Sequence, residues 1–298
     1  MTRVVSLPGD PGLGSEVARY LGIAHSTFFS KRFPDGEVYL RLPEPISSDR
    51  VLLVQSTYPN QNDRVVELLL ALEVLERYGN EVVLVAPYLA YSRQDKEFLP
   101  GEAISLRSIV RALSSAGLSA LVTVDAHSSS AIREFLGNRR YINVIPVEVF
   151  AEALRTYRSQ ELTVVAPDQG AAERARALAE ELGCNYVVAR KSRDRVTGEV
   201  AHSLEPLEGL KGVAVVFDDI VSTGGTVASI ATFLTARGVK VVLAVSHALL
   251  VGNALEKLTK SGVREVYSIP TVAVRVPGVR YLELAPYLAE LLKEEGVV

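Results

Sequence analysis

Residues 213–226 read VAVVFDDIVSTGGT. The stretch opens on Val213–Phe217, an apolar and mostly β-branched run with no polar alternation. Such a run marks a strand covered on both faces, which places it in a parallel sheet between helices. Two acids follow, Asp218 and Asp219, and then Ser222, Thr223, Gly224, Gly225 and Thr226 open a helix predicted over Thr226–Arg237 and stopped by Gly238. Glycines let a backbone approach a ligand closely. The free N–H groups of a helix start favour an anion, and the hydroxyls add donors. Two carboxylates beside such a cradle suit a sugar phosphate, with phosphate on the loop and sugar hydroxyls on the acids.

The same grammar extends in both directions. Strand-like runs occur at Val4–Leu7, Val51–Val54, Val82–Ala86, Leu121–Val124, Leu162–Ala166, Tyr186–Ala189, Val241–Val245 and Glu265–Ile269, each expected to be buried on both faces. Glu37–Leu42 alternates instead and reads as a half-exposed or edge strand. Helices are predicted over Asn62–Tyr78, Ile104–Ala116 and Gly170–Leu182, each followed by a glycine. Strand–helix alternation implies an α/β protein with mainly parallel sheets flanked by helices. The order also repeats. Val51–Val54, a helix and the strand after Gly79 match Val213–Val216, a helix and the strand after Gly238. A third strand follows Gly117 in one copy and Gly262 in the other. The repeat predicts two duplicated α/β domains, 1–145 and 146–298, with a boundary near Asn143–Glu148 and a site in the cleft between the halves. The last helix is left free to pack back on the N-terminal domain.

Composition narrows the function classes. Against 32 Lys and Arg stand 35 Asp and Glu, a net charge of −3, which argues against nucleic-acid binding by bulk charge. The single cysteine, Cys184, excludes an intramolecular disulfide framework and Cys-rich zinc sites and fits a reducing cytosol. The opening residues MTRVVSLPGD have no signal-peptide pattern and read directly into a strand, and the apolar stretch from Val241 to Leu255 is too short to span a bilayer. A soluble cytoplasmic protein with no membrane partner is expected.

The 213–226 string resembles the phosphoribosyl-diphosphate motif shared by type I phosphoribosyltransferases and ribose-phosphate pyrophosphokinases. Other segments favour the second family, in family order. Residues 33–37 (FPDGE) resemble its adenine-side loop and residues 91–96 (YSRQDK) its second ATP segment. Asp125-Ala126-His127-Ser128 is similar to its metal- and triphosphate-binding strand end, residues 167–171 (PDQGA) to its second acidic loop, and Lys191-Ser192-Arg193 to its catalytic flexible loop. By themselves FPDGE reads as a turn and YSRQDK as a solvated loop.

The resemblance implies two phosphoribosyltransferase-like domains, ATP on the N-terminal one and ribose 5-phosphate on the C-terminal one. It gives ATP contacts to Phe33, Asp35, Gly36, Glu37, Arg93, Gln94, Asp95, Lys96 and His127. It gives ribose 5-phosphate contacts to Arg193, Asp218, Asp219 and Ser222–Thr226. Lys191 and Arg193 become the catalytic cations, which would stabilise charge on a pentavalent phosphorus. Magnesium is the implied cofactor, with His127 and Asp168 as candidate ligands; the hard carboxylate of Asp168 suits it better than an imidazole. The family also implies a homodimer or higher homo-oligomer. Two departures stand out. Ser222 occupies a position where bacterial-type members commonly carry Asp, and Asp125–Ser128 is followed by Ser129-Ser130-Ala131-Ile132-Arg133 rather than a Gln-Gly-Phe-Phe run. Both point to an archaeal-type member. No Walker A string is present, which excludes a P-loop kinase.

Overall fold

The computed structural model describes residues 1–46, 49–193 and 200–298, with 190–193 and 200–203 described by their backbone alone. The chain divides into two compact units. The first is Met1–Val144 with Pro270–Val274 and Glu283–Val298; the second is Ile145–Ile269 with Arg275–Leu282.

The first unit runs β1 (Thr2–Ser6), α1 (Leu13–Leu21), β2 (His25–Thr27), β3 (Phe29–Arg32), β4 (Val38–Arg41), β5 (Arg50–Val54), α2 (Gln61–Arg77), β6 (Glu81–Ala86), α3 (Ser105–Ser115), β7 (Leu118–Val124), α4 (Ser129–Leu136) and β8 (Arg140–Val144). The second runs α5 (Val147–Leu154), β9 (Leu162–Ala166), α6 (Ala172–Leu182), β10 (Asn185–Val188), β11 (Arg190–Arg193), β12 (Val200–Ser203), β13 (Val213–Val221), α7 (Gly225–Thr235), β14 (Lys240–Ala248), α8 (Ala254–Lys260), β15 (Val263–Ser268) and β16 (Val279–Tyr281). The final helix, α9 (Ala285–Glu294), belongs to the first unit and packs on α1.

Each unit is built on a six-stranded sheet, ordered β2-β1-β5-β6-β7-β8 in the first and β10-β9-β13-β14-β15-β16 in the second. Every pairing within the two sheets is parallel. Taken in chain order, the strands occupy equivalent places. Each unit also inserts an antiparallel pair after its second strand, β3–β4 or β11–β12. The central strands carry the apolar load: Val51, Leu52 and Leu53 of β5 and Val213–Phe217 of β13 are all solvent-free. Helices stop where a glycine can turn left-handed, as at Gly183 (φ 66°), whose N–H reaches the carbonyls of Ala179 and Glu180.

The structure corrects three sequence readings. β13 does not end at Phe217 but runs to Val221, because Ile220 and Val221 continue the ladder against His247 and Ala248 of a nine-residue β14. The acids therefore stand inside the strand rather than beyond it. Tyr186–Ala189 is not buried on both faces: β10 is an edge strand and Tyr186 is exposed. The helix expected from Gly170 begins at Ala172, after a 3-10 turn over Gln169–Ala171 that Asp168 caps.

Candidate active site

In parallel sheets, groups at the carboxyl ends of neighbouring strands converge. β9 and β13 are neighbours, so Asp168, just past β9, comes near enough to Asp218 for its charge to be felt there. Asp168 Oδ1 accepts the Gly170 N–H at 2.9 Å. Asp219 Oδ1 accepts the Ile220 N–H at 2.8 Å, and Asp218 Oδ1 accepts the Asp219 N–H at 3.0 Å. The sequence reading missed a fourth member, Arg174 of α6. Its Nη1 lies 3.0 Å from Asp219 Oδ1 and 3.5 Å from Asp218 Oδ1. Burial, above all, lifts the Asp218 carboxyl well above the ordinary aspartate range. The charge and hydrogen bond of Asp219 and the charge of Asp168 add to that, while Arg174 opposes it.

The loop after β13 is held by protein on its flanks and open at its tip. Leu250 N–H donates to Val221 O and Val251 N–H to Ser222 O, both at 3.0 Å, and Lys257 Nζ donates to Thr223 O at 3.2 Å. Gly224 sits at φ 70°, and a Cβ there would press on the Leu258 side chain at 3.2 Å. Gly225 differs: a Cβ there meets no described atom within 4 Å. Among the described residues no side chain caps the start of α7, and its first turn holds no acid. This helix start thus presents N–H groups and partial positive charge to open space. The start of α1 is the contrast, because Asp10 accepts from the N–H groups of Gly12, Leu13 and Gly14.

In the first unit, Phe33–Glu37 forms the tip of the β3–β4 hairpin. Gly36 N–H donates to Phe33 O at 2.9 Å, Phe33 N–H to Glu37 O at 2.8 Å, and Asp35 Oδ1 accepts the Glu37 N–H at 3.1 Å. The left-handed Gly36 (φ 99°) makes that turn. Phe33 is exposed, edge-on to Tyr39 at 5.8 Å, with Lys31 Nζ 5.0 Å from its ring centre. The first turn of α2 links this hairpin to residues 91–96: Arg32 pairs with Asp63, and the Tyr91 hydroxyl donates to Asn62. Ser128 Oγ donates to Asp95 Oδ2 at 2.8 Å, joining residues 91–96 to Asp125–Ser128. Asp125 is solvent-free with φ 43°, whereas His127 is exposed. Lys191 and Arg193 lie on β11, paired in register with His202 and Val200 of β12; their side chains lie outside the described residues.

Comparison with known proteins gives the family. Residues 2–117 match the family model of the N-terminal domain of ribose phosphate pyrophosphokinase, and residues 147–283 that of the phosphoribosyl transferase domain. The chain is 37% identical to the ribose-phosphate pyrophosphokinase of Sulfurisphaera tokodaii over 93% of its own length and 96% of the relative's. It is 31% identical to that of Helicobacter hepaticus over 94% and 91%. The chain belongs to the ribose-phosphate pyrophosphokinase family. The crystal structure of phosphoribosylpyrophosphate synthetase from Mycobacterium smegmatis superposes with a TM-score of 0.87 at 26% identity, covering 99% of each chain. A plain phosphoribosyltransferase would account for the second unit only; the match of residues 2–117 separates the two families. The stronger likeness to the Sulfurisphaera protein fits the archaeal-type departures at Ser222 and after Ser128.

Among the described residues, no three His, Cys, Asp or Glu side chains converge as a ready-made metal cage, and no helix is long and apolar enough to cross a membrane. The charge of Asp168 is felt at Asp218, and their hard carboxylate oxygens are donors whose chemistry suits magnesium.

Proposed function

We propose that this chain transfers the diphosphoryl group of ATP to the C1 hydroxyl of ribose 5-phosphate, giving 5-phosphoribosyl 1-diphosphate and AMP for nucleotide biosynthesis. The observation that carries this reading is the mouth of α7. An uncapped helix start, with open space where a Gly225 side chain would stand, lies directly after an acidic pair. Ser222–Thr226 takes the 5-phosphate dianion there. Carboxylates repel a phosphate, so Asp218 and Asp219 serve the ribose hydroxyls instead.

On the first unit, Phe33 offers its exposed face to the adenine, with Asp35, Gly36 and Glu37 as polar contacts. Arg93 meets polyphosphate oxygens with a fixed fork of donors. Gln94, Asp95, Lys96 and His127 complete the ATP side, and the Ser128–Asp95 hydrogen bond supports grouping these segments. Magnesium would be held by Asp168 with substrate oxygens, and His127 is the second candidate. When bound it offsets charge on the phosphates. Lys191 and Arg193 stabilise the charge that develops as the C1 hydroxyl attacks the β-phosphorus and AMP departs. No side chain is assigned as general base; positioning and electrostatics carry the step. The enzyme acts in the cytoplasm as a homodimer or higher homo-oligomer, and light scattering that gave a fully active monomer would remove the assembly from this reading.

The test is to mix purified protein with ATP, Mg²⁺ and ribose 5-phosphate. AMP and the diphosphate ester should appear together, and only when the sugar phosphate is present. AMP release that ignores ribose 5-phosphate, or none at all, would overturn the proposal.

A further inference from the structure

An arginine on the apolar face of a helix needs a reason. Arg174 shares the inner face of α6 with Ala175, Leu178, Ala179 and Leu182, and only 10% of its side chain is exposed. A guanidinium in that place costs desolvation energy unless carboxylates meet it. Asp219 and Asp218 do, and unequally. Asp219 is gripped at 3.0 Å and Asp218 only at 3.5 Å. The Asp219 oxygen that takes Arg174 also takes the Ile220 N–H, and its side chain is 6% exposed. The Asp218 side chain keeps 20% exposure.

From this asymmetry we infer that Arg174 is a positioning residue of the ribose site: it clamps Asp219 in the interior and leaves Asp218 as the carboxylate that meets the sugar. The inference rests on the sugar-phosphate reading of the 218–226 segment and deepens it. The sequence presents the two acids as a matched pair, whereas the structure divides their labour. Adjacent carboxylates repel each other, and here a third, Asp168, adds to the repulsion on Asp218. Arg174 stands against both acids and holds Asp219 the more closely, so it sets the direction in which Asp219 points.

The experiment compares Arg174→Lys, Arg174→Met, Asp218→Asn, Asp219→Asn and two double variants, Arg174→Met with each Asp→Asn change. Thermal melts establish the folded fraction; kcat and the two KM values are then measured on folded enzyme. Arg174→Met should raise the ribose 5-phosphate KM about tenfold or more while the ATP KM stays within about twofold, because only the sugar side has lost its support. Arg174→Lys should recover most of the loss. Asp218→Asn should lower kcat by about a hundredfold and Asp219→Asn by about tenfold or less, in keeping with their separate duties. Adding Asp219→Asn to Arg174→Met removes the stranded buried charge and should restore stability and part of the turnover. Adding Asp218→Asn should restore no turnover.

The inference is overturned if Arg174→Met folds and keeps both KM values. It is equally overturned if Asp219→Asn is the crippled variant and Asp218→Asn the mild one, or if the two KM values rise together only in step with lost folded protein. If Arg174→Met does not fold, the two single Asp variants still decide. Wild-type protein that makes no AMP from ATP and ribose 5-phosphate overturns the functional reading and this inference with it. An active wild type with the variant pattern reversed overturns the inference alone.

Discussion

Gly224 and Gly225 are adjacent and are glycine for different reasons. Gly224 has φ 70° and packs against Leu258; Gly225 faces open space. The same change at each should therefore fail differently. Gly224→Ala should cost about 1 kcal/mol or more through its left-handed backbone, seen as a lower Tm. Gly225→Ala should keep the Tm and raise the ribose 5-phosphate KM, with Gly225→Val worse and the ATP KM nearly kept in both. A normal sugar-phosphate KM in Gly225→Val would free this loop of its assignment. Lys191 makes the complementary prediction. If it stabilises transition-state charge, Lys191→Ala should cut kcat by orders of magnitude with modest KM changes, a loss of roughly 3–5 kcal/mol. Near-normal turnover in that variant would exclude the role. At this scale the sequence showed which residue types gather, and the GG pair was legible. It did not show which glycine answers to the backbone and which faces open space, because φ and the facing atoms decide that. Arg174 left a trace that was not read: a cation on the helix face otherwise carrying Ala175, Leu178 and Leu182.

Among the elements, α1 and α7 start in opposite ways. Asp10 closes α1 by accepting three backbone N–H groups, and Ser6 Oγ donates to it at 2.6 Å. Asp10→Ala should cost about 0.5–2 kcal/mol, as lost caps do, and leave the catalytic constants alone. The pH dependence has a definite sign. Burial is the largest influence on Asp10 and raises its carboxyl above the ordinary 3.8, against its hydrogen bonds. The folded protein thus holds this proton to higher pH than the unfolded chain does. The stability tied to it is fully present below about 3.8 and declines as pH rises through the elevated folded value. The Tm advantage of wild type over Asp10→Asn should accordingly shrink between pH 4 and pH 7; an advantage that grew would contradict the shift. Long apolar strands and helices stopped by glycine were legible because burial and left-handed φ leave direct marks. The short elements were not. β2, β3 and β16 are three or four residues each and carry no period to read. The end of β13 was misplaced because two acids look like a loop until their neighbours in β14 are known.

For the whole molecule, the matching strand orders and the matching hairpin insertions make the repeat visible in a way that a three-element pattern only hinted at. The sequence could not show the chain's later returns to the first unit, because membership of a unit is set by what packs on what. Residues Pro270–Val274 and Glu283–Val298 belong to the first unit. Leu284, Leu288 and Leu292 are solvent-free, and Arg50 Nη1 donates to the Val297 carbonyl at 2.9 Å. Leu288→Ala should therefore cost about 2–5 kcal/mol, the range for a buried leucine. A chain cut after residue 282 should lose more than that, with hydrogen exchange accelerating in α1 first. If the shortened chain melted like the full one, α9 would be an ornament rather than a part of that core. The same threading has a consequence for the order of events on a ribosome, which delivers residues from the first to the last. The second unit possesses all its residues once Leu282 has emerged, while the first still awaits its closing helix. The half that is synthesised first is the half that is finished last.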